Sequence, residues 1–585
     1  MLKAASALVS VLFVRAVTSV VLNDSSQLSP NASFDFIIVG SGPGGATVAS
    51  RLSENPRFSV LLIEAGVDSE GIRDLHIPAL HSSVAEVYIW NTTTAPIPSL
   101  NNRSVAFPRG YVLGGGSSVN GMVYTRGAAS DYDDWAVITK DDGWRWKSLR
   151  KNIPRHEKWT LPVSGRNVTG EFDPQYHGFS GNVGVSLPEL GHHVLDRVGL
   201  EAINEPNQTE FHYNQDMNSG NPIGLGWCQS TVLKGERSSA ASSLLNKSAR
   251  ARPNLTILVN TYVTRVLLDE NHRNRIRSVE IGSLADRRVL GTIRAKHEVV
   301  LAAGVIGTPQ ILLNSGIGDA GELEALGISP IHNLPDVGKG FIDQALFPMV
   351  WLTNGTVAPP IDTEAALEEW VTSRSGPFTD KGLYSHQLFF GRIPSASPLW
   401  KKYPDPSSGR SAPHVELLFV GLDGEFPILL VFVSLLTTTS KGFVGIRSRN
   451  PFDPPVVNSA NLATRFDVDG VTEAVRLAKR FFSGPAWNQT LGTLITPDPD
   501  ALPAAEWESA LRDSVISNAH GVGSAAMSAR GSRRGVLDPD LRVKGLDGLR
   551  IVDAAAIPRV PTAHTQAPVY LLAERASDLL IQQWK

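Results

Sequence analysis

A chain of 585 residues exceeds what one hydrophobic core usually holds, so two or more domains are expected. Its 42% hydrophobic and 19% charged residues are those of an ordinary soluble globular protein. The net charge of −3 is spread without a basic block or an acidic tail, which argues against a nucleic-acid partner and against a charge-driven protein partner.

The chain opens like a secretory signal over residues 1–19. Lys3 gives a positive start, Ala4 to Val14 an apolar run, and Ala16 to Ser19 small residues for cleavage. Ten N-x-[ST] sequons, at Asn23, Asn31, Asn91, Asn102, Asn167, Asn207, Asn246, Asn254, Asn354 and Asn488, point the same way. A secreted, N-glycosylated protein is expected. The single Cys228 excludes an intrachain disulfide and reads as a small buried hydrophobe.

Phe34 to Val39 reads as a parallel strand buried on both faces, and Ala46 to Leu52 as a helix. The turn between them holds Gly40, Gly42 and Gly45 in a GxGxxG pattern, and a second strand, Ser59 to Ile63, ends at Glu64. This is a βαβ unit of dinucleotide-binding size. Gly40 permits the tight turn, Gly42 the approach of a pyrophosphate, and Gly45 the packing of helix on strand. Glu64 stands where a carboxylate accepts from ribose hydroxyls, which argues against NADP and leaves FAD or NAD.

Gly66 to Val105 is irregular and reads as a surface excursion. Pro108 to Gly127 follows, with Gly114-Gly115-Gly116-Ser117-Ser118 at its centre, a surface stripped of large side chains on which backbone amides could lie against a flat or anionic ligand. Residues 151–224 are polar and weakly periodic. Strands are expected at Leu255 to Val259, Val263 to Leu268, Arg277 to Ile281 and Glu298 to Ala302, and a helix start at Thr308-Pro309. Ile428 to Leu436 is too short to span a bilayer and reads as a buried strand, so no membrane partner is expected. The end returns to a strand, Leu549 to Val552, and a helix, Val569 to Ile581.

Three stretches resemble the glucose-methanol-choline (GMC) flavin oxidoreductases. Pro108 to Gly127 is similar to the first signature of that family, with Tyr111 where Lys, Arg or Asn is usual. Gly304 to Gly318 is similar to the second, with Val305 at its one loose position, and Gly548 to Asp553 to the strand whose last residue reaches the flavin ribityl and phosphate region. The resemblance implies FAD, with Gly115, Ser117, Asn120, Gly121, Val263 and Asp553 among its contacts. Val119 stands where some relatives carry a histidine bonded to the flavin, so the FAD is expected to be non-covalent. The implied fold is α/β: a Rossmann-like FAD-binding domain from 34–150, 225–330 and 536–585, with an inserted substrate-binding domain, built on an antiparallel sheet, from 151–224 and 331–535.

Alcohol oxidation by a flavin needs a base at the hydroxyl, and histidine suits it. Of fourteen histidines, the resemblance singles out His520, as proton acceptor in His520-Gly521-Val522-Gly523-Ser524, and His564, which orients the hydroxyl. Gly521 and Ser524 depart from the usual Pro and Thr. The resemblance also implies that Thr565 and Gln566 open a helix that faces the flavin. The Tyr176-His177-Gly178, Gly376-Pro377-Phe378 and His564-Thr565-Gln566 runs are nearest to fungal aryl-alcohol oxidases and pyranose dehydrogenases. Ala519, where aryl-alcohol oxidases carry an aromatic, and the short segment Gly421 to Pro427 imply a roomier pocket; Asp343-Gln344 replaces a common Asp-His pair. The expected reaction is oxidation of a primary aryl, allylic or similar alcohol, with electrons passed to O2 or a quinone and no metal. A non-redox lyase or cyclase on the same fold is the alternative.

Overall fold

The computed structural model describes residues 20–29, 32–191, 193–206, 208–357, 361–380 and 386–585. The expected signal segment and the sequons at Asn31 and Asn207 lie outside the described residues.

The strand Ser33–Val39 and helix Pro43–Ser53 form as the apolar run and glycine turn require, and Val60–Ile63 pairs parallel to the first strand. Leu255–Leu258 adds beyond Val60–Ile63, and Val20–Leu22 pairs with its far edge. On the other side stands Arg288–Leu301, one 14-residue strand with two characters. Its exposed first half pairs antiparallel with His272–Ser283, which pairs in turn with Tyr262–Asp269. Its buried second half runs parallel between Ser33–Val39 and Leu549–Ile551. The parallel strands end in register: Val39 faces Ile63 and Leu301, Ile63 faces Leu258, and Leu301 faces Ile551. Gly40, Glu64, Ala302 and Asp553 therefore leave the sheet along one carboxyl edge, where open α/β sheets bind ligands.

The helix Gly304–Asn314 begins four residues before the expected Thr308-Pro309, and Pro309 lies inside it. An internal proline cannot donate to the carbonyl one turn back. Here that carbonyl belongs to Val305, and the Ser524 hydroxyl donates to it at 2.6 Å. The closing helix Gln566–Trp584 packs on Pro43–Ser53. The two are joined by a buried ion pair, Arg51 Nη2 to Glu574 Oε1 at 2.8 Å.

A second sheet is antiparallel, in the order Leu491–Leu494, Ala345–Thr353, Ile428–Leu435, Val415–Leu422, Gln387–Gly391, Gly224–Trp227. Helix Arg465–Phe482 lies on Ile428–Leu435. Phe389, Phe419, Phe481, Phe482 and Trp487 fill the space between. Cys228 is buried, as expected. Residues 66 to 105 are more than surface: short 3₁₀ turns, invisible to helix or strand periodicity, bury Ile77, Ile97 and Leu100, and the two-residue strand Ile89–Trp90, paired with Arg109–Gly110, places Trp90 on a cavity wall. Among the described residues no helix is long and apolar enough to cross a membrane.

Candidate active site

Between the carboxyl edge of the parallel sheet and one face of the antiparallel sheet lies a cavity of about 1150 Å³. A site for one small ligand measures roughly 300–1,000 Å³. The surplus leaves room for a long cofactor and a substrate together. Its wall carries Gly40, Gly42, Glu64, Gly115, Ser117, Asn120, Gly121, Val263 and Asp553, and also His520 and His564, with Thr565 and Gln566 following directly on His564. Gly45 alone among the expected residues stands behind the wall.

The glycines divide by role. Gly40 has φ +95°, a region open mainly to glycine, and a Cβ there would lie 2.4 Å from Ala302 O. At Gly45 a Cβ would lie 1.9 Å from Gly40 O, so this residue closes helix onto strand. At Gly42 a Cβ would meet nothing within 4 Å. That opening at the helix N-terminus faces the cavity. Sequence reasoning passed over Gly44, whose Cβ would strike Val552 O at 2.0 Å and which lets the helix approach the last strand.

Glu64 is buried, and burial pushes its carboxyl up. Ser41 donates to it through backbone N at 3.0 Å and hydroxyl at 2.6 Å, and Gly66 N donates at 2.9 Å. Asp553 is pushed up to about 6 by burial, and accepts from Gly304 N at 2.9 Å and the Thr308 hydroxyl at 2.6 Å. Trp90, Tyr262 and Phe452 stand near one another on the wall, and Tyr111 supports Trp90 edge-on at 4.5 Å. That packing accounts for an aromatic residue at position 111.

Asn120 ties the glycine-rich loop to the closing helix through Nδ2 to Gln566 Oε1, and its own Oδ1 accepts from Arg237 Nη1 at 3.0 Å. Arg237 is buried, and burial alone pushes its guanidinium down to about 9. Its Nε and Nη2 have no hydrogen-bond partner, nor does Gln566 Nε2. An unpaired buried cation is costly unless an anion lies near. The glycine opening, the helix N-terminus and this cation behind the cradle fit a dinucleotide with its anionic pyrophosphate. Nothing in the local sequence marks Arg237.

On the same wall His520 and His564 meet with ring centroids 4.5 Å apart at 67°. His520 Nδ1 donates to Gln344 Oε1 at 2.7 Å, and its backbone N donates to Asp343 Oδ1 at 2.9 Å. Burial, the His564 ring and the Arg109 guanidinium hold the His520 imidazole well below the usual range, hence neutral. The preceding Ala519 has φ +57°, and its carbonyl accepts from Arg109 Nη2 at 2.8 Å. Gly521 is not slack: a Cβ there would lie 2.5 Å from the Phe341 ring. His564 Nε2 donates to Glu416 Oε1 at 2.7 Å; Glu416 is buried and its Oε2 has no partner. Glu416 escaped the sequence reading, although a lone acid in the apolar strand Val415–Leu422 is a visible signal.

A parallel sheet with a glycine cradle at its carboxyl edge, facing a half-buried histidine pair, defines a dinucleotide-dependent oxidoreductase. Sequence models of the GMC oxidoreductase family match residues 34–346 and 438–573. Pyranose dehydrogenase 3 of Leucoagaricus meleagris is 38% identical over 582 residues, 95% of this chain and 94% of its own. A fungal aryl-alcohol oxidase structure is similar at TM-score 0.81 and 25% identity, covering 94% of this chain and 99% of that one. A formate oxidase of Aspergillus oryzae, solved in work on FAD modification, reaches TM-score 0.84 at 26% identity over 95% and 99%. The chain belongs to the GMC oxidoreductase family and is an FAD-dependent oxidoreductase acting on CH–OH donors.

Proposed function

We propose that this protein oxidises a primary alcohol of aryl, allylic or similar kind to the aldehyde, with His520 as proton acceptor and His564 orienting the hydroxyl. The observation that carries this reading is the pair of rings 4.5 Å apart on the cavity wall, one of them held neutral by burial. A neutral imidazole takes the hydroxyl proton; a charged one cannot. His564, bonded through Nε2 to the buried Glu416, is fixed beside it. FAD, when bound, supplies the acceptor for the hydride of the alcohol carbon. Gly42, Ser117, Asn120, Val263 and Asp553 would hold it, with Glu64 at the ribose. Thr565 and Gln566 put the positive end of the closing helix at the same wall. Val119 on that wall has no nucleophilic atom, which supports a non-covalent cofactor.

The substrate end is two-sided. Leu346, Leu418 and Phe432 suit an apolar body, whereas Glu416, Ser434 and Asn518 offer polar groups. The polar side favours a second reading, a pyranose, in line with the name of the relative at 38% identity. Electrons then pass to O2 or a quinone. Anaerobic mixing with benzyl alcohols, allylic alcohols and aldoses separates the readings: bleaching of the oxidised flavin band by the aromatic or allylic set supports the first, and by the aldoses alone the second.

Secretion and glycosylation rest on the terminal segment and on exposed sequon asparagines at 23, 91, 102, 167 and 488. Asn254 is a poor acceptor, since its Nδ2 already donates to the carbonyls of Ser53, Asn55 and Phe58.

A further inference from the structure

The Asp343-Gln344 pair has a place in the site that its sequence does not announce. Both side chains are buried, and both turn to the segment that carries His520. Asp343 takes the backbone: its Oδ1 accepts from His520 N, and its Oδ2 from the Ser517 hydroxyl at 2.6 Å. Gln344 takes the ring.

The orientation of the Gln344 amide is fixed by its other partners. Its Nε2 lies 3.1 Å from Pro561 O, a carbonyl that can only accept, so nitrogen is at that end. Its oxygen is therefore the atom 2.7 Å from His520 Nδ1, and Asn518 Nδ2 donates to the same oxygen at 3.2 Å. An amide oxygen has no proton to give. The shared proton must be on Nδ1, and a neutral imidazole then leaves Nε2 bare.

We propose that Gln344 is a positioning residue for His520, holding the ring in the tautomer whose bare Nε2 can accept a substrate proton. The inference rests on His520 being the proton acceptor. A neutral amide serves better here than a carboxylate, which would favour the charged ring and consume the lone pair. The other charged or titratable groups near the ring keep that balance. Arg109 lies behind Ala519 and His564 beside the ring, and both disfavour a second positive charge. Asp343 meets the backbone N–H and not the ring, and Glu416 is one hydrogen bond further off, on His564.

The test uses holoenzyme with Gln344→Glu and Gln344→Met, read by anaerobic flavin reduction across pH. In Gln344→Glu the acidic limb of kcat/KM is expected to move up by about one to three pH units, as for a new ion pair. In Gln344→Met the limiting reduction rate falls about tenfold or more, KM changes little, and the bound flavin spectrum is retained. Should a variant fail to fold, the wild-type holoprotein carries the test alone. Labelled with 15N-histidine and assigned against His520→Ala, it should show His520 protonated on Nδ1 and bare on Nε2. A bare Nδ1, or variants whose acidic limb and rate match wild type, would overturn the inference. If His520→Ala itself still reduces flavin at the wild-type rate, the reading of His520 as the base falls first, and this inference with it.

Discussion

A histidine accepts a proton only while one ring nitrogen is bare, so the position of its acidic limb is the signature of its surroundings. His520 is held well below the ordinary histidine range by burial, His564 and Arg109. The sign follows: the active neutral form persists as pH falls through 6.5, and kcat/KM should decline only well below that value, measurable as a pH profile of anaerobic flavin reduction. His520→Ala should slow reduction by about 10²- to 10⁴-fold while the flavin stays bound. At this scale the sequence was partly legible. His520 and His564 stand in runs with a family pattern, and the fold brings them together. Gln344 was visible only as a departure without a meaning, because its partner is far along the chain. Arg237 was hidden for the same reason.

The first helix and the turn before it separate two uses of glycine, and the difference is measurable. Gly42→Ala puts a methyl into open space, so the apoprotein should melt near wild type while FAD affinity drops. Gly45→Ala drives a methyl to 1.9 Å from Gly40 O and should lower both melting temperature and affinity, at a cost of about 2 kcal/mol or more. In the second signature helix, Ser524→Ala would strip the carbonyl of Val305 of its donor, and denaturant titration should register a loss of about 1–3 kcal/mol. Element types were readable wherever an apolar run or a glycine turn dominated, as at Ser33–Val39 and Ile428–Leu435. The early start of Gly304–Asn314 was not, since a proline usually marks a first turn and the serine that makes it tolerable lies more than two hundred residues away.

Across the whole molecule, the two chain ends are drawn into one layer. Leu549–Ile551 completes the parallel sheet, and Glu574 on the closing helix meets Arg51 on the first. Glu574→Ala would leave Arg51 with only the half-exposed Glu54 as counter-ion, so equilibrium unfolding should show a loss of about 1.5–3 kcal/mol. The sheet edge at Val20–Leu22 and the double pairing of Arg288–Leu301 could not be read beforehand, because strand neighbours are set by long-range register that local periodicity does not encode. These layers enclose a cavity whose wall carries both the glycine cradle and the two histidines. The measurement that tests its use most directly is the anaerobic visible spectrum of the purified holoprotein before and after adding aryl alcohols, allylic alcohols and aldoses. Bleaching of the oxidised flavin band by a primary aryl or allylic alcohol, lost in His520→Ala, is the result predicted. A bound flavin that none of these alcohols reduces, or one that His520→Ala reduces as fast as wild type, would contradict it.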